Sequence, residues 1–421
     1  MDIVEIFALT ITVAALFSYV SHRWLRLPRA IGLMLIGLAV SATIAGIGRW
    51  LPELQRTAVA TLGAIDFNRL VLHGVLGVLL FAGALHLDLD DLRRHAAVIL
   101  VLSTVGVVLS TAIVGWLMWE IVTLLGIALP LIDCLLFGAL ISPTDPIAVR
   151  AVLRSSGVPD DVEVQLTGES LFNDGIGVVV FLTLLRYAGD PHASAATSVA
   201  GALVVFLREV VGGVAFGIAI ATAAFVLIKS VNDYRIEILL SLALVVGGYA
   251  SAERMHVSAP MTSVVSGLLI GNHGRAFAMS DATRERLDLF WEVIDDLVNT
   301  VLFVLVGLLL LTVAVTGKLL VTSAAAIIVT LLARLVSIGI PLALLRRVTR
   351  IATPSVRLMT WAGVRGPLSI ALALSLYQRS VHAASNEIQV IVVATYVVVI
   401  FSVIVHGLTL RRLIRRMMPT G

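Results

Sequence analysis

Leu166-Thr-Gly-Glu-Ser-Leu-Phe-Asn-Asp-Gly175 decides how the rest of the 421-residue chain is read. It places Glu169 and Asp174 in a run that continues as Ile176-Gly-Val-Val-Val-Phe-Leu-Thr-Leu-Leu185. Such a run is too apolar to lie anywhere but in a membrane, and it leaves no nearby surface to which a carboxylate can snorkel. A charged side chain at the bilayer centre costs roughly 2.5–3.5 kcal/mol on insertion scales, so a sequence keeps one there chiefly for function. On a helix Glu169 lies over Asn173 and Ser170 over Asp174, each at i, i+4, which gives the carboxylates one broad polar face. Groups able to ligand a cation flank Asp174.

The composition surrounding this stretch agrees with a membrane setting. The chain is 59% apolar and 14% charged, against roughly 45–50% and about 25% in soluble domains, and its mean hydropathy is +1.03. These values define an all-α polytopic membrane protein, expected to form a single transmembrane domain over residues 1–421 with no sizeable soluble domain. A formal charge of +3 would suggest an acidic partner in a soluble chain. Here the excess base belongs to membrane topology, and nucleic acid is not implied. The one cysteine, Cys134, lies in an apolar run and reports nothing about redox compartment. Asp2 and Glu5 stand where a signal peptide carries basic residues, so the first apolar run is expected to be a retained helix.

Windows of about 19 residues give about thirteen spans, the first near Val4–His22 and the last near Ile388–Leu410. The ninth, Pro260–Gly271, is short for a full crossing. Lys and Arg gather on one set of alternate connections and the tail, about 20 against about seven, which sets the C-terminus in the cytoplasm and the N-terminus outside.

Two spans are interrupted. In Phe137-Gly-Ala-Leu-Ile-Ser-Pro-Thr-Asp-Pro146, Pro143 and Pro146 lack amide hydrogens and free the carbonyls of Ala139 and Ser142. In Trp361-Ala-Gly-Val-Arg-Gly-Pro367, Pro367 frees the carbonyl of Gly363. Non-helical backbone at membrane depth survives only where it lines a cavity or is buried in protein. The breaks fall in spans 5 and 12. Inverted repeats of six spans, 1–6 and 8–13, would set them at equivalent positions as two broken, crossing helices.

Gly168-Glu-Ser-Leu-Phe-Asn-Asp-Gly175, Ser142-Pro-Thr-Asp-Pro146, Ala333-Arg-Leu-Val-Ser-Ile-Gly-Ile-Pro341 and Gly363-Val-Arg-Gly-Pro367 together resemble the sodium/proton exchangers of the cation/proton antiporter superfamily. The match is to the NhaP-like, Asn-Asp branch. The resemblance implies that Asp174 is the ion-binding, proton-exchanging aspartate and Asn173 its asparagine partner. It implies that Thr144 and Asp145 form the crossing segment, with Ser170 beside the ion. Glu169 and Arg334 correspond to a charged pair that holds the core together, and Arg365 to the arginine of the second break. A homodimer is implied as well. Ala82 stands where some relatives carry an acidic residue, so that carboxylate's role does not transfer.

Desolvation makes the charged form of a carboxyl costly, so a proton and a hard cation compete to neutralise it. Sodium, lithium or potassium would be held by Asp174, Ser170, the Thr144 carbonyl and water, and only a neutral site crosses an apolar barrier cheaply. With Asn173 in place of a second acid, the expectation is one-for-one, electroneutral exchange in the cell's inner (plasma) membrane by alternating access. No cofactor is expected, and no Walker lysine signals ATP. The structural alternative is an ion pair at Glu169–Arg334, support of the broken helices by Asp145 and Arg365, and a carboxylate-orienting role for Asn173. Arg208-Glu209 reads as an interfacial or structural pair, and His86, Asp88, Asp90, Asp91 and His95 as a solvated charged turn in preference to a cation-collecting or pH-sensing inner funnel. Asp281 to Asp296 reads as an amphipathic helix along the inner surface, leading into a span at Leu297–Val315. The basic tail Arg411-Arg-Leu-Ile-Arg-Arg416 is a topology determinant and a contact for anionic lipid. Two other classes remain open: an intramembrane aspartyl protease using Asp145 and Asp174, and a passive cation channel.

Overall fold

The computed structural model describes residues 3–25, 27–48, 50–63, 66–145, 149, 152–153, 156, 158–189, 199–275, 278–312, 317–348, 355–380 and 388–417. Among them every regular element is helical, as backbone that must satisfy its own hydrogen bonds in lipid requires. Each apolar window of the sequence holds a helix. Among the described residues seven helices are long and apolar enough to cross a bilayer by length and composition, and Leu70–Leu85, Leu131–Ile141 and Pro367–Leu376 are shorter apolar helices. Helix starts follow local chemistry: Asp233, Ser258 and Ser280 each accept a bond from a first-turn amide, those of Arg235, Met261 and Thr283.

The helices sort into two packed groups. In one, Leu131–Ile141 and Gly317–Val348 pack on Val107–Leu124, and Ile388–Phe401 packs on Gly317–Val348 and Pro367–Ser380. This group contains both interruptions. In the other, Arg29–Ile47 packs along Asp281–Leu309, while Leu76–Leu85, Val199–Lys229 and Tyr234–Arg254 surround Ala259–Leu269. The helix Asp160–Gly189 touches both groups, meeting Leu131–Ile141 on one side and Ala259–Leu269 on the other.

Small residues allow the closest approaches. A Cβ on Gly37 would lie 2.9 Å from the Gly307 backbone. Ser41 Oγ then donates to the Gly307 carbonyl at 2.8 Å, so Arg29–Ile47 and Asp281–Leu309 are joined backbone to backbone. Trp291, fully buried, donates from Nε1 to Ser241 Oγ at 3.1 Å and ties the same long helix to Tyr234–Arg254.

The amphipathic stretch Asp281 to Asp296 leads into the following span without a break; Asp281–Leu309 is one continuous helix, because no proline or glycine separates its amphipathic start from its apolar end. Two local expectations are corrected. Glu209 pairs with Arg186 of the neighbouring helix and is buried, so Arg208 is not its partner in the pair. His95 does not belong to a solvated turn. It is buried, Gln165 stands 2.9 Å from its Nδ1, and Asp161 3.1 Å from its Nε2. The rest of that turn is local architecture, with Asp88 capping Leu89–Arg94 through the amides of Asp90 and Asp91.

Candidate functional site: the crossing of two broken helices

Leu131–Ile141 stops at Ser142, and residues 143–145 are non-helical, as the proline pattern requires. Val356–Ala362 stops before Gly363, residues 363–366 are non-helical, and Pro367 opens Pro367–Ser380 in the first-turn position that tolerates it. The two interruptions meet: the Asp145 amide donates to the Val364 carbonyl at 2.7 Å. Arg365, 2% exposed, donates from its guanidinium to the carbonyls of Ser142 and Pro143, the latter at 2.9 Å. One of the carbonyls freed by proline is thus answered by an arginine from the other break. The Arg365 amide donates to Ser402 Oγ at 2.9 Å, which anchors the second break to the following span. Gly366 is required by contact, since a Cβ there would lie 2.8 Å from Asp145 Cβ and Oδ2.

Beside the crossing lies a closed polar network on the Asp160–Gly189 helix. Arg334 grips Glu169 in a two-pronged ion pair, with both N–H···O distances 2.8 Å and Glu169 fully buried. Asn173 Nδ2 donates to Glu169 Oε1 at 2.8 Å and to Thr144 Oγ1 at 2.7 Å, while its Oδ1 accepts from the Thr144 amide at 3.1 Å. Thr144 Oγ1 and Ser170 Oγ share a hydrogen bond of 3.0 Å. The asparagine therefore fastens the first break to the helix of Glu169 through both ends of its amide, a task that needs a donor and an acceptor on one group.

Asp174 faces the other way. It lines a cavity of about 80 Å³ together with Asp145, Thr167, Ser369, Asp295 and Asn299, walled elsewhere by apolar side chains such as Leu80 and Leu171. That is room for several waters. The charges of Asp145, Glu169 and Arg365 all act on Asp174. All eight residues singled out in the sequence thus converge, but on two faces: Asp174 and Asp145 at the cavity, and Glu169, Ser170, Asn173, Thr144 and Arg334 in the network behind it, with Arg365 between. Asp295, Asn299, Thr167 and Ser369 were not anticipated. Asp295 and Asn299 carried a signal, a polar pair at i, i+4 within one helix, hidden by dividing that helix at Leu297.

Two interrupted helices crossing beside a carboxylate that faces a cavity with room for several waters define a carrier for a small cation. Comparison with known proteins agrees. A sequence profile of the sodium/hydrogen exchanger transmembrane family matches residues 10–416. The chain is 41% identical over 421 residues to the Na(+)/H(+) antiporter NhaP of Pseudomonas aeruginosa, covering 99% of this chain and 96% of that one. It is 30% identical over 421 residues to the Na(+)/H(+) antiporter NhaH of Halobacillus dabanensis, covering 99% and 97%. Its fold matches the sodium proton antiporter MjNhaP1 of Methanocaldococcus jannaschii with a TM-score of 0.70 over 93% of this chain and 99% of that one, at 19% identity. The chain belongs to the sodium/hydrogen exchanger family.

Proposed function

We propose that this multi-pass membrane protein is a secondary active transporter that exchanges sodium for protons, one for one, at Asp174. Lithium and potassium are the other cations its oxygen donors suit. The observation that supports this reading is the position of Asp174 on the cavity, in a neighbourhood where Glu169 is already neutralised by Arg334. Of the carboxylates on this cavity, Asp174 is the one at the position the family resemblance assigns to ion and proton exchange, and it would take up either a proton or a cation. Ser170, the Thr144 carbonyl and water would complete the cation's shell, with Asp145 beside it and Asn173 holding Thr144 in place. Glu169, Arg334 and Arg365 hold the crossing together. The protein works by alternating access, as a homodimer in the cell's inner (plasma) membrane with membrane lipid around it. Its C-terminus is cytoplasmic and its N-terminus outside. Family membership gives no support to a protease or a channel.

The test is cation-driven proton flux in proteoliposomes for wild type and Asp174→Asn with sodium, lithium and potassium. The variant folds and is silent with every cation. Cation-dependent flux persisting in Asp174→Asn rejects Asp174 as the exchanging group, and a sodium-driven current that scales with flux rejects one-for-one exchange.

A further inference from the structure

The cavity at Asp174 has walls of different origin. One is formed by Asp160–Gly189 and the two breaks; the other includes Asp281–Leu309, which contributes Asp295 and Asn299. Asp174 stands fourteen residues into its helix and Asp295 fourteen residues into its own, about 21 Å along each at 1.5 Å per residue. The two carboxylates therefore reach the same cavity from matching depths in their helices. Asn299 is buried and donates from Nδ2 to the Asp295 carbonyl at 2.8 Å and to Asp295 Oδ1 at 3.1 Å. Both partners are acceptors, so the NH₂ end of the amide must face them, which orients the carboxylate. Across the cavity Ser369 is 1% exposed, and its Oγ has no hydrogen-bond partner among the described residues. A buried hydroxyl left unmatched on a cavity wall is matched by what fills the cavity.

We propose that Asp295, oriented by Asn299, is a second cation-binding residue, which receives the partly hydrated ion in this cavity before it reaches Asp174. The inference rests on the exchange reading above. Its chemistry is that of hard oxygen ligands around a small monovalent cation that keeps part of its water, for which the cavity has room. Asp295 belongs to the helix fastened to Arg29–Ile47 at Gly37 and Gly307, whereas the helix of Asp174 meets the first broken helix at Leu131–Ile141 as well as Ala259–Leu269. In a rocking cycle the two carboxylates face each other in one state only, so Asp295 serves ions entering from one side of the membrane.

The experiment measures sodium-driven proton flux with sodium offered from either side, in wild type, Asp295→Asn, Asp295→Glu and Glu292→Gln. Glu292 is an exposed acid on the same helix that does not line the cavity. For Asp295→Asn the half-saturating sodium concentration rises about tenfold from one side, equivalent to about 1.4 kcal/mol. From the other side it stays within about twofold of wild type, as does the maximal rate from both. Asp295→Glu restores most of the affinity and Glu292→Gln changes nothing. Equal half-saturation in Asp295→Asn and wild type overturns the proposal, and so does an equal rise in Glu292→Gln, which would make the effect one of general surface charge. If wild type itself shows no sodium-driven flux, the exchange reading fails. If wild type is active, Asp174→Asn is silent and Asp295→Asn is normal, this inference alone fails. Sodium titration calorimetry on detergent-purified protein provides a second readout, with weaker binding in Asp295→Asn supporting the assignment and unchanged binding refuting it.

Discussion

Replacing Arg334 by methionine tests how the crossing is held together. The side chain is 6% exposed and both of its terminal nitrogens serve Glu169, itself fully buried. Removing one partner of a buried pair leaves an uncompensated charge and costs about 3–5 kcal/mol. Asn173 is the other described donor to Glu169, and a neutral amide cannot offset a full charge. Arg334→Met should therefore lose about 3–5 kcal/mol of stability. Adding Glu169→Gln removes the stranded charge while keeping an oxygen for Asn173, so the double variant should return to within about 1 kcal/mol of wild type, a coupling of at least about 2 kcal/mol. Unfolding in mixed micelles, followed by circular dichroism against the denaturing-detergent fraction, measures all four members of the cycle. If Arg334→Met alone lies within about 1 kcal/mol of wild type, or the double variant is as unstable as the two single losses added, the pair does not hold this core.

Two further outcomes follow from the same geometry. On the proposal that sodium and hydrogen ions contend for Asp174, each tenfold rise in proton concentration, where that carboxyl is mostly protonated, should weaken apparent sodium affinity about tenfold; calorimetry across a pH series showing a flat dependence would refute the shared site. Thr144→Val keeps the shape of the side chain but takes away the oxygen that accepts from Asn173 and bonds Ser170. Unmatched buried donors then cost about 1–3 kcal/mol of stability, measured by the same micelle unfolding, and cation affinity falls with the ordering of Ser170.

The membrane class, the two breaks and the residues at their crossing were legible because each rests on a rule that acts locally. A carboxylate inside an apolar run and a proline inside a span carry their consequences in the letters. What the letters lacked was the partner of each freed group. Nothing in Trp361 to Pro367 shows that Arg365 reaches the carbonyls of Ser142 and Pro143, more than two hundred residues earlier in the chain. His95 was misread for the same reason, since its polarity suggests solvent and only packing brings Asp161 and Gln165 to it. Asp295 was hidden by a boundary: charge on the first half of Asp281–Leu309 looks like a surface face until the helix is seen to run on, unbroken, beside the cavity.

Asparagine at 173 has a consequence for charge. Around the crossing stand three acids, Glu169, Asp145 and Asp174, and two guanidiniums, Arg334 and Arg365. Glu169 and Arg334 cancel within one bidentate pair, and Arg365, which donates to the carbonyls of Ser142 and Pro143, is the other cation near Asp145 and Asp174; on the exchange reading, one negative charge among these five groups is left when Asp174 is ionised. A unit of that charge crosses an apolar barrier cheaply only after binding one positive ion, and a proton and a sodium ion satisfy the requirement equally. An aspartate at 173 would add a second negative charge and could not donate to Thr144 and Glu169 as Nδ2 does. The neutral amide ties the broken segment to its helix, and on the one-for-one reading proposed above it would also keep the travelling charge at one. Asp295 adds a further acid to the cavity; on the proposal above it stays outside this count, since its helix is fastened to Arg29–Ile47.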